Sequence, residues 1–382
     1  MKGFKNSWII TEEGKIKGNL IIEDGLIKAL GNDTTDNLVE LNEDLVVIPG
    51  FIDEHIHGAA GSDAMDGTIE DLKKIACALA SEGTTGFLAT TMTQSPENIT
   101  KALRAVKEYR ESNIPDGAEI LGVHLEGPFI AKEHVGAQPL EYVAEPKVET
   151  FKKYEEASGN NIRIVTLAPE VPGALDLLKY LKSRNVVASV GHTGSKYEDV
   201  RKAIEAGASN ATHTYNAMKG IHHREVGTVG ATFLFDELNA EIICDGIHVS
   251  APAIKLLYKN KPHDKFTLIT DAMRAKHMSD GDYELGGQPV IVKNNEARLH
   301  DGTLAGSVLK MNLAVKNVMK FLDLPLEEVV KYATINPARN LHVDDVMGSI
   351  KVGKRANLVV VDQDMNVHMT IRDGKVVYRK DI

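Results

Sequence analysis

The 382-residue chain is predicted to fold as an α/β protein, a (β/α)8 TIM barrel with a small β-sandwich domain built from both chain ends. Three observations carry this. Apolar strand-like runs alternate with segments of helical period through the middle of the chain. Eight such runs can be counted, and eight is the barrel number. Both ends carry short strands joined by Asp-Gly turns.

At the N-terminus, Gly18 to Glu23 and Leu26 to Leu30 flank Asp24-Gly25, a dipeptide suited to positive φ in a hairpin. At the C-terminus, Asn357 to Val361 reads as an apolar strand, and Met369 to Arg372 turns through Asp373-Gly374 into Lys375 to Tyr378. These ends define one expected unit, residues 1–50 with 347–382, leaving 51–346 for the barrel. Its strands are read at Phe51 to His55, Gly86 to Thr91, Ile120 to Glu126, Ile162 to Ala168, Val186 to Val190, Asn210 to His213, Ala240 to Cys244 and Phe266 to Thr270. Ile69 to Ser81 places Leu72, Ile75, Ala76 and Leu79 on one helical face, and Tyr197 to Ala206 is a helix stopped by Gly207. A doubly wound open sheet is the structural alternative. Two loops are long, Gly127 to Glu145 and Tyr215 to Gly230, and long loops in compact domains are often functional.

Composition narrows the function. A net charge of −10 without a basic run disfavours nucleic acid as a partner. No apolar run reaches membrane-spanning length and the N-terminus lacks a leader pattern, so a cytoplasmic protein with no membrane partner is expected. The two cysteines, Cys77 and Cys244, are read as buried free thiols.

The chemistry concentrates at strand ends. His55 and His57 alternate on an extended chain, so both imidazoles can face one cation. Glu126, His192, His213 and Asp271 close the third, fifth, sixth and eighth strands, and in a barrel those ends converge on one mouth. His124 should point away from this set and serve a structural role. Imidazoles mixed with carboxylates suit a divalent metal, zinc first, with iron, manganese or cobalt also compatible.

Further motifs stand in a fixed order: Pro49-Gly50-Phe51-Ile52-Asp53, His55-Ile56-His57-Gly58, His124-Leu125-Glu126-Gly127-Pro128-Phe129, Gly191-His192-Thr193 and Thr212-His213-Thr214-Tyr215-Asn216-Ala217-Met218. His222-His223-Arg224-Glu225, Asp245-Gly246-Ile247-His248, Thr270-Asp271-Ala272 and Leu304-Ala305-Gly306-Ser307 follow. With these the chain resembles the amidohydrolase superfamily, and within it the N-acetylglucosamine-6-phosphate deacetylases, over essentially its whole length.

The resemblance implies hydrolysis of N-acetyl-D-glucosamine 6-phosphate to D-glucosamine 6-phosphate and acetate. It makes Glu126, His192 and His213 ligands of one ion, with His55 and His57 holding a second and Glu126 bridging, so one or two ions per subunit. A metal that lowers the pKa of bound water supplies hydroxide to attack the acetyl carbonyl. Asp271 is then the general base and acid that moves the proton to the leaving amine. Arg224 and His248 would bind the substrate phosphate, assisted by backbone at Asn216 and Ala217, and Ala137, Leu304, Ala305 and Gly306 would line the sugar pocket through backbone atoms. A homodimer is also implied.

The chain departs from the family at Gly136-Ala137-Gln138-Pro139, where many relatives carry a carbonyl-polarising histidine. A second metal is the expected substitute, and His134 a weaker one. Another amidase or a deaminase of the same superfamily is the rival reading, since a metal core alone does not choose a substrate. A non-enzymatic sugar-phosphate binder would have lost the metal or proton-transfer residues that this chain keeps.

Overall fold

A computed structural model describes residues 1–380. Its centre is a sheet of eight parallel strands in sequential order: Phe51–Ile56, Thr84–Thr90, Glu119–Glu126, Ile162–Leu167, Val187–Val190, Ala208–Ala211, Asn239–Ile243 and Phe266–Ile269. Each overlaps its predicted run. The sixth and eighth end before His213 and Thr270, because the chain leaves the ladder there: His213 has φ 31° and Asp271 φ 47°.

The barrel closes between its eighth and first strands through backbone bonds and one side chain. The Asp271 N–H donates to the His55 carbonyl at 2.8 Å, while Thr270 donates from its N–H and its Oγ1 to the Asp53 carboxylate at 3.3 and 2.5 Å. Asp53 thus supplies the acceptor that a regular ladder would take from the backbone. It is fully buried, and burial pushes its carboxyl up to about 6.

The outer helices follow the predicted periodicity. Ile69–Ala80 starts at Thr68, whose hydroxyl accepts the Asp71 N–H, and buries Leu72, Ile75, Ala76 and Leu79. Each of its large aliphatic side chains contributes roughly 1.5–3 kcal/mol by leaving water. Tyr197–Ala206 ends at Gly207, whose N–H caps the carbonyls of Ala203 and Ile204 and whose φ of 123° turns the following chain out of the helix. Cys244 is buried as expected, but Cys77 is exposed, one position past Ala76 and off the buried stripe.

Strands from both chain ends share a second sheet, ordered Lys375–Arg379, Val367–Arg372, Leu358–Val361, Val46–Pro49, Gly3–Thr11, Gly14–Glu23 and Leu26–Gly31, with Val39–Glu40 beside Gly3–Thr11. Both predicted turns are present, with Asp24 and Asp373 each at φ 50° before a positive-φ glycine. The adjacent central strands are apolar throughout because both of their faces are covered. Val47, Leu358 and Val360 pack with Phe4 and Leu20 in the small unit's own core, whereas Val46, Ile48, Val359 and Val361 join the core that contains Phe51 of the barrel.

One element was not foreseen. After the eighth barrel strand, Gly281–Leu285, Gln288–Lys293 and Glu296–Arg298 form a three-stranded antiparallel sheet. Its Leu285, Val290, Val292 and Ala297 cluster with Met92 and Met273, residues of the loops beyond the second and eighth barrel strands. Among the described residues, no helix is long and apolar enough to cross a membrane.

Candidate metal centre and catalytic site

The strand ends deliver their side chains to one point. His55 lies on the first strand and His57 one residue past its end, and both are buried. His192, His213 and Asp271 each sit just past a strand in the left-handed region, at φ 47°, 31° and 47°. Such backbone costs of order 1–3 kcal/mol for a residue with a Cβ and persists where surrounding structure enforces it, typically at functional sites.

Glu126 is the hub. Its Oε1 lies 3.1 Å from His192 Nε2, 3.1 Å from His213 Nε2 and 3.4 Å from His55 Nε2. Its Oε2 lies 3.3 Å from His57 Nε2. Asp271 Oδ1 completes the opposite side, 3.2 Å from His57 Nε2 and 3.5 Å from His55 Nε2. Two groups of three ligand atoms result at the cavity, one of Glu126, His192 and His213 and one of His55, His57 and Asp271, while a third close set, His55, His124 and Glu241, lies outside the cavity lining. All six predicted metal and catalytic residues are therefore brought together, and Glu126 touches both groups.

The outer ring nitrogens decide what the inner ones offer. His55 Nδ1 is 3.1 Å from Glu241 Oε2, His57 Nδ1 3.3 Å from the Thr90 carbonyl, and His192 Nδ1 2.9 Å from the His134 carbonyl. All three partners are acceptors, so the proton of a neutral ring belongs on Nδ1 and the Nε2 lone pair faces the centre. His55 Nε2 is buried without a hydrogen-bond partner, and the Nε2 atoms of His192 and His213 stand 3.1 Å apart. Imidazole nitrogens converging on one buried carboxylate fit a cation, and the mixture of nitrogen and carboxylate donors fits a transition metal such as zinc.

The charges agree with the geometry. Burial opposes ionisation of Glu126, but His55, His192 and His213 hold its carboxyl well below the usual range. Asp271 is likewise buried, yet His55 and His57 hold it at about 2. Burial disfavours a charged His57 ring, while Asp271 and Glu126 together raise it to about 10. Two ionised carboxylates in a buried pocket attract positive charge, which the ring protons or a metal ion can supply.

His124 stays outside this set, as expected. Its Nδ1 donates to the Glu54 carbonyl at 2.9 Å, its Nε2 meets Thr166 Oγ1 at 2.7 Å, and burial pushes the ring down to about 4. Both nitrogens are in use.

A cavity of about 330 Å³ opens over the centre and reaches His57, Glu126, His192, His213 and Asp271. Of the predicted substrate residues, Ala137, Asn216, Ala217, His248, Leu304 and Gly306 line it. Ala305 does not, being fully buried in the cluster with Met92 and Met273. Arg224 also lies outside the lining. It is exposed, and its Nη1 donates to His223 Nε2 at 2.7 Å. His248 is fixed by Asp245, whose Oδ2 accepts from His248 Nδ1 at 2.6 Å while Oδ1 accepts the backbone N–H groups of Ile247 and His248.

Sequence reasoning missed the supporting acceptors. Glu241 had a visible signal, a single carboxylate inside an otherwise apolar run from Ala240 to Cys244. The Thr90 and His134 carbonyls carry none, since any residue has a carbonyl. Gln138 was noticed only as a departure from a pattern. It is buried, its Nε2 donates to Glu126 Oε2 at 2.7 Å, and its Oε1 accepts the Thr93 N–H at 2.6 Å.

Comparison with known proteins bears on this site. The Amidohydrolase family model matches residues 46–377. An N-acetylglucosamine-6-phosphate deacetylase of Bacillus subtilis (strain 168) is 42% identical over 381 residues, covering 98% of this chain and 96% of the relative. An N-acetylgalactosamine-6-phosphate deacetylase of Escherichia coli O157:H7 is 37% identical, covering 96% and 97%. Among solved structures, a mutant N-acetyl-D-glucosamine-6-phosphate deacetylase of Mycobacterium smegmatis in complex with N-acetyl-D-glucosamine-6-phosphate superimposes with a TM-score of 0.93 at 30% identity, covering 99% of this chain and 100% of the other.

Proposed function

The chain belongs to the amidohydrolase family, and from that premise we propose that it hydrolyses the N-acetyl group of N-acetyl-D-glucosamine 6-phosphate, releasing acetate and D-glucosamine 6-phosphate. The observation that carries the reading is the pair of buried ligand groups joined by Glu126 beneath a cavity of about 330 Å³. The named activities of relatives matched over nearly the whole chain support the choice of substrate.

In this reading Glu126, His192 and His213 would hold one divalent ion, zinc by donor type, and His55 and His57 would hold a second. Bound there, the metal supplies Lewis acidity, lowering the pKa of water and polarising the amide carbonyl. Asp271 is the proton carrier. It is the most accessible of the six site residues, with 13% of its side chain exposed against 7% or less for each of the others. A carboxylate held ionised can take a proton from the attacking water and return it to the amine nitrogen as the C–N bond breaks. His248, oriented by Asp245, and Arg224 bind the phosphate, while the backbone around Ala137, Asn216, Ala217, Leu304 and Gly306 shapes the sugar pocket. We assign residues 51–346 to the catalytic barrel and 1–50 with 347–382 to the small domain, of which 381–382 lie outside the described residues. A cytoplasmic homodimer completes the proposal.

The test is acetate release from N-acetylglucosamine 6-phosphate and from its galacto epimer, with and without a chelator. Acetate should appear with an equal amount of free amine, vanish on chelation and return with added divalent metal. No acetate from the gluco substrate, or release that ignores the chelator, would overturn the reading.

A further inference from the structure

We propose that Gln138 is a positioning residue that fixes the rotation of the Glu126 carboxylate, and so sets how tightly the His55/His57 side of the centre holds its ion. The inference rests on the metal-centre reading above. Glu126 is unevenly supported: three imidazole nitrogens crowd its Oε1 at 3.1 to 3.4 Å, whereas Oε2 meets only His57 Nε2 at 3.3 Å and Gln138 Nε2 at 2.7 Å. The terminal torsion of a glutamate is broad and roughly two-fold. Without the Gln138 donor, Oε2 is free to swing away from His57, and the carboxylate then serves the His192/His213 side alone.

The Gln138 amide is itself held in one orientation. Its Oε1 accepts the Thr93 N–H at 2.6 Å, so a flipped amide would set oxygen against the Glu126 carboxylate and nitrogen against an N–H. Its backbone is braced as well. The Gln138 N–H donates to the Val135 carbonyl at 2.9 Å, and the neighbouring Ala137 carbonyl accepts Gln288 Nε2 of the three-stranded sheet at 2.6 Å. The residue type matters. An amide donates a hydrogen bond to a bridging carboxylate without bringing a charge, so it orients the ligand without repelling a cation or adding another anion.

The experiment is calorimetric titration of metal-depleted protein with Zn²⁺ alone, which needs no substrate. Wild type should show two binding events, and His57→Ala marks which belongs to the His55/His57 side. In Gln138→Met, which keeps the side-chain volume but has no donor, that event should weaken by roughly 10- to 100-fold, the usual cost of losing a partner that orients a ligand. The other event should stay put, and Gln138→Ala should behave like Gln138→Met. Unchanged binding in both variants would overturn the proposal, as would equal weakening of both events, a defect in Gln138→Ala alone, or a single event in wild type. A fall in turnover with two ions bound at unchanged affinity would also overturn it, assigning Gln138 to the substrate instead. Because acetate release by wild type decides the deacetylase reading separately, the two can fail independently.

Discussion

His55, His57 and His192 at the strand ends and Arg224 on the loop after the sixth strand are all candidates for one reaction, yet they are held differently. Each of the three histidines has an outer nitrogen on an acceptor of another element and an inner nitrogen facing a buried carboxylate. Arg224 has only its exposed neighbour His223 for its side chain. The proposed roles account for the difference. Holding a cation and moving a proton need atoms fixed to a fraction of an ångström before substrate arrives. Gripping a solvated phosphate allows a long side chain to settle as the substrate binds.

If rigid placement matters most at the strand ends, the largest effect should come from Asp271. Asp271→Asn keeps the shape and an oxygen that can face His57, but removes the basic site. Turnover of the phosphorylated sugar should fall by roughly 10²- to 10⁴-fold, the range for losing a general acid–base group. The Glu126/His192/His213 group should stay loaded with metal, as elemental analysis would show. Near-normal turnover would remove Asp271 from the mechanism.

Next in size is the support behind a ligand. Glu241 accepts from His55 Nδ1 at 3.1 Å and from Asn210 Nδ2 at 2.8 Å, and is fully buried. Burial resists its ionisation, but the His55 ring keeps its carboxyl below the ordinary glutamate value. Glu241→Gln leaves a neutral amide beside His55, so the affinity of the His55/His57 side for metal should drop by roughly 10-fold or more in competition with a chelator. An unchanged affinity would mean that His55 is held by packing alone.

What could be read in the sequence divides along the same line. The eight strands and the six residues at their ends follow from period-two alternation and from the convergence of strand ends, rules that act over a few residues or through one symmetric architecture. The polar contacts that make those residues a centre link distant parts of the chain. Gln138 to Thr93 and Gln288 to Ala137 are decided by loops folding over one another, and no local pattern encodes them. The three-stranded sheet from Gly281 to Arg298 was overlooked for a related reason: several of its residues are exposed, as the charged Asp282, Glu284 and Lys293 show, so it lacks the buried apolar run that marked the barrel strands. Ala305 is small enough to be expected at the pocket through its backbone, but it packs in the cluster with Met273 while its neighbours Leu304 and Gly306 line the cavity.

The loop side of the comparison predicts smaller effects of a different kind. With Arg224→Ala the metal centre and Asp271 are untouched, so kcat should hold while KM for the phosphorylated sugar rises by roughly 10-fold, the worth of one charge-assisted hydrogen bond. A non-phosphorylated N-acetyl sugar should not register the change. That contrast also separates a sugar-phosphate deacetylase from another amidase or a deaminase built on the same centre, in which loss of Arg224 should be silent for every substrate. His223→Ala removes only the exposed acceptor of the Arg224 guanidinium. Since exposed polar pairs are worth little, KM should then move by no more than about fivefold. A larger effect from His223 than from Arg224 would mean that the histidine, rather than the arginine, meets the phosphate, and the division between rigid strand ends and an adaptable loop would have to be redrawn at that residue.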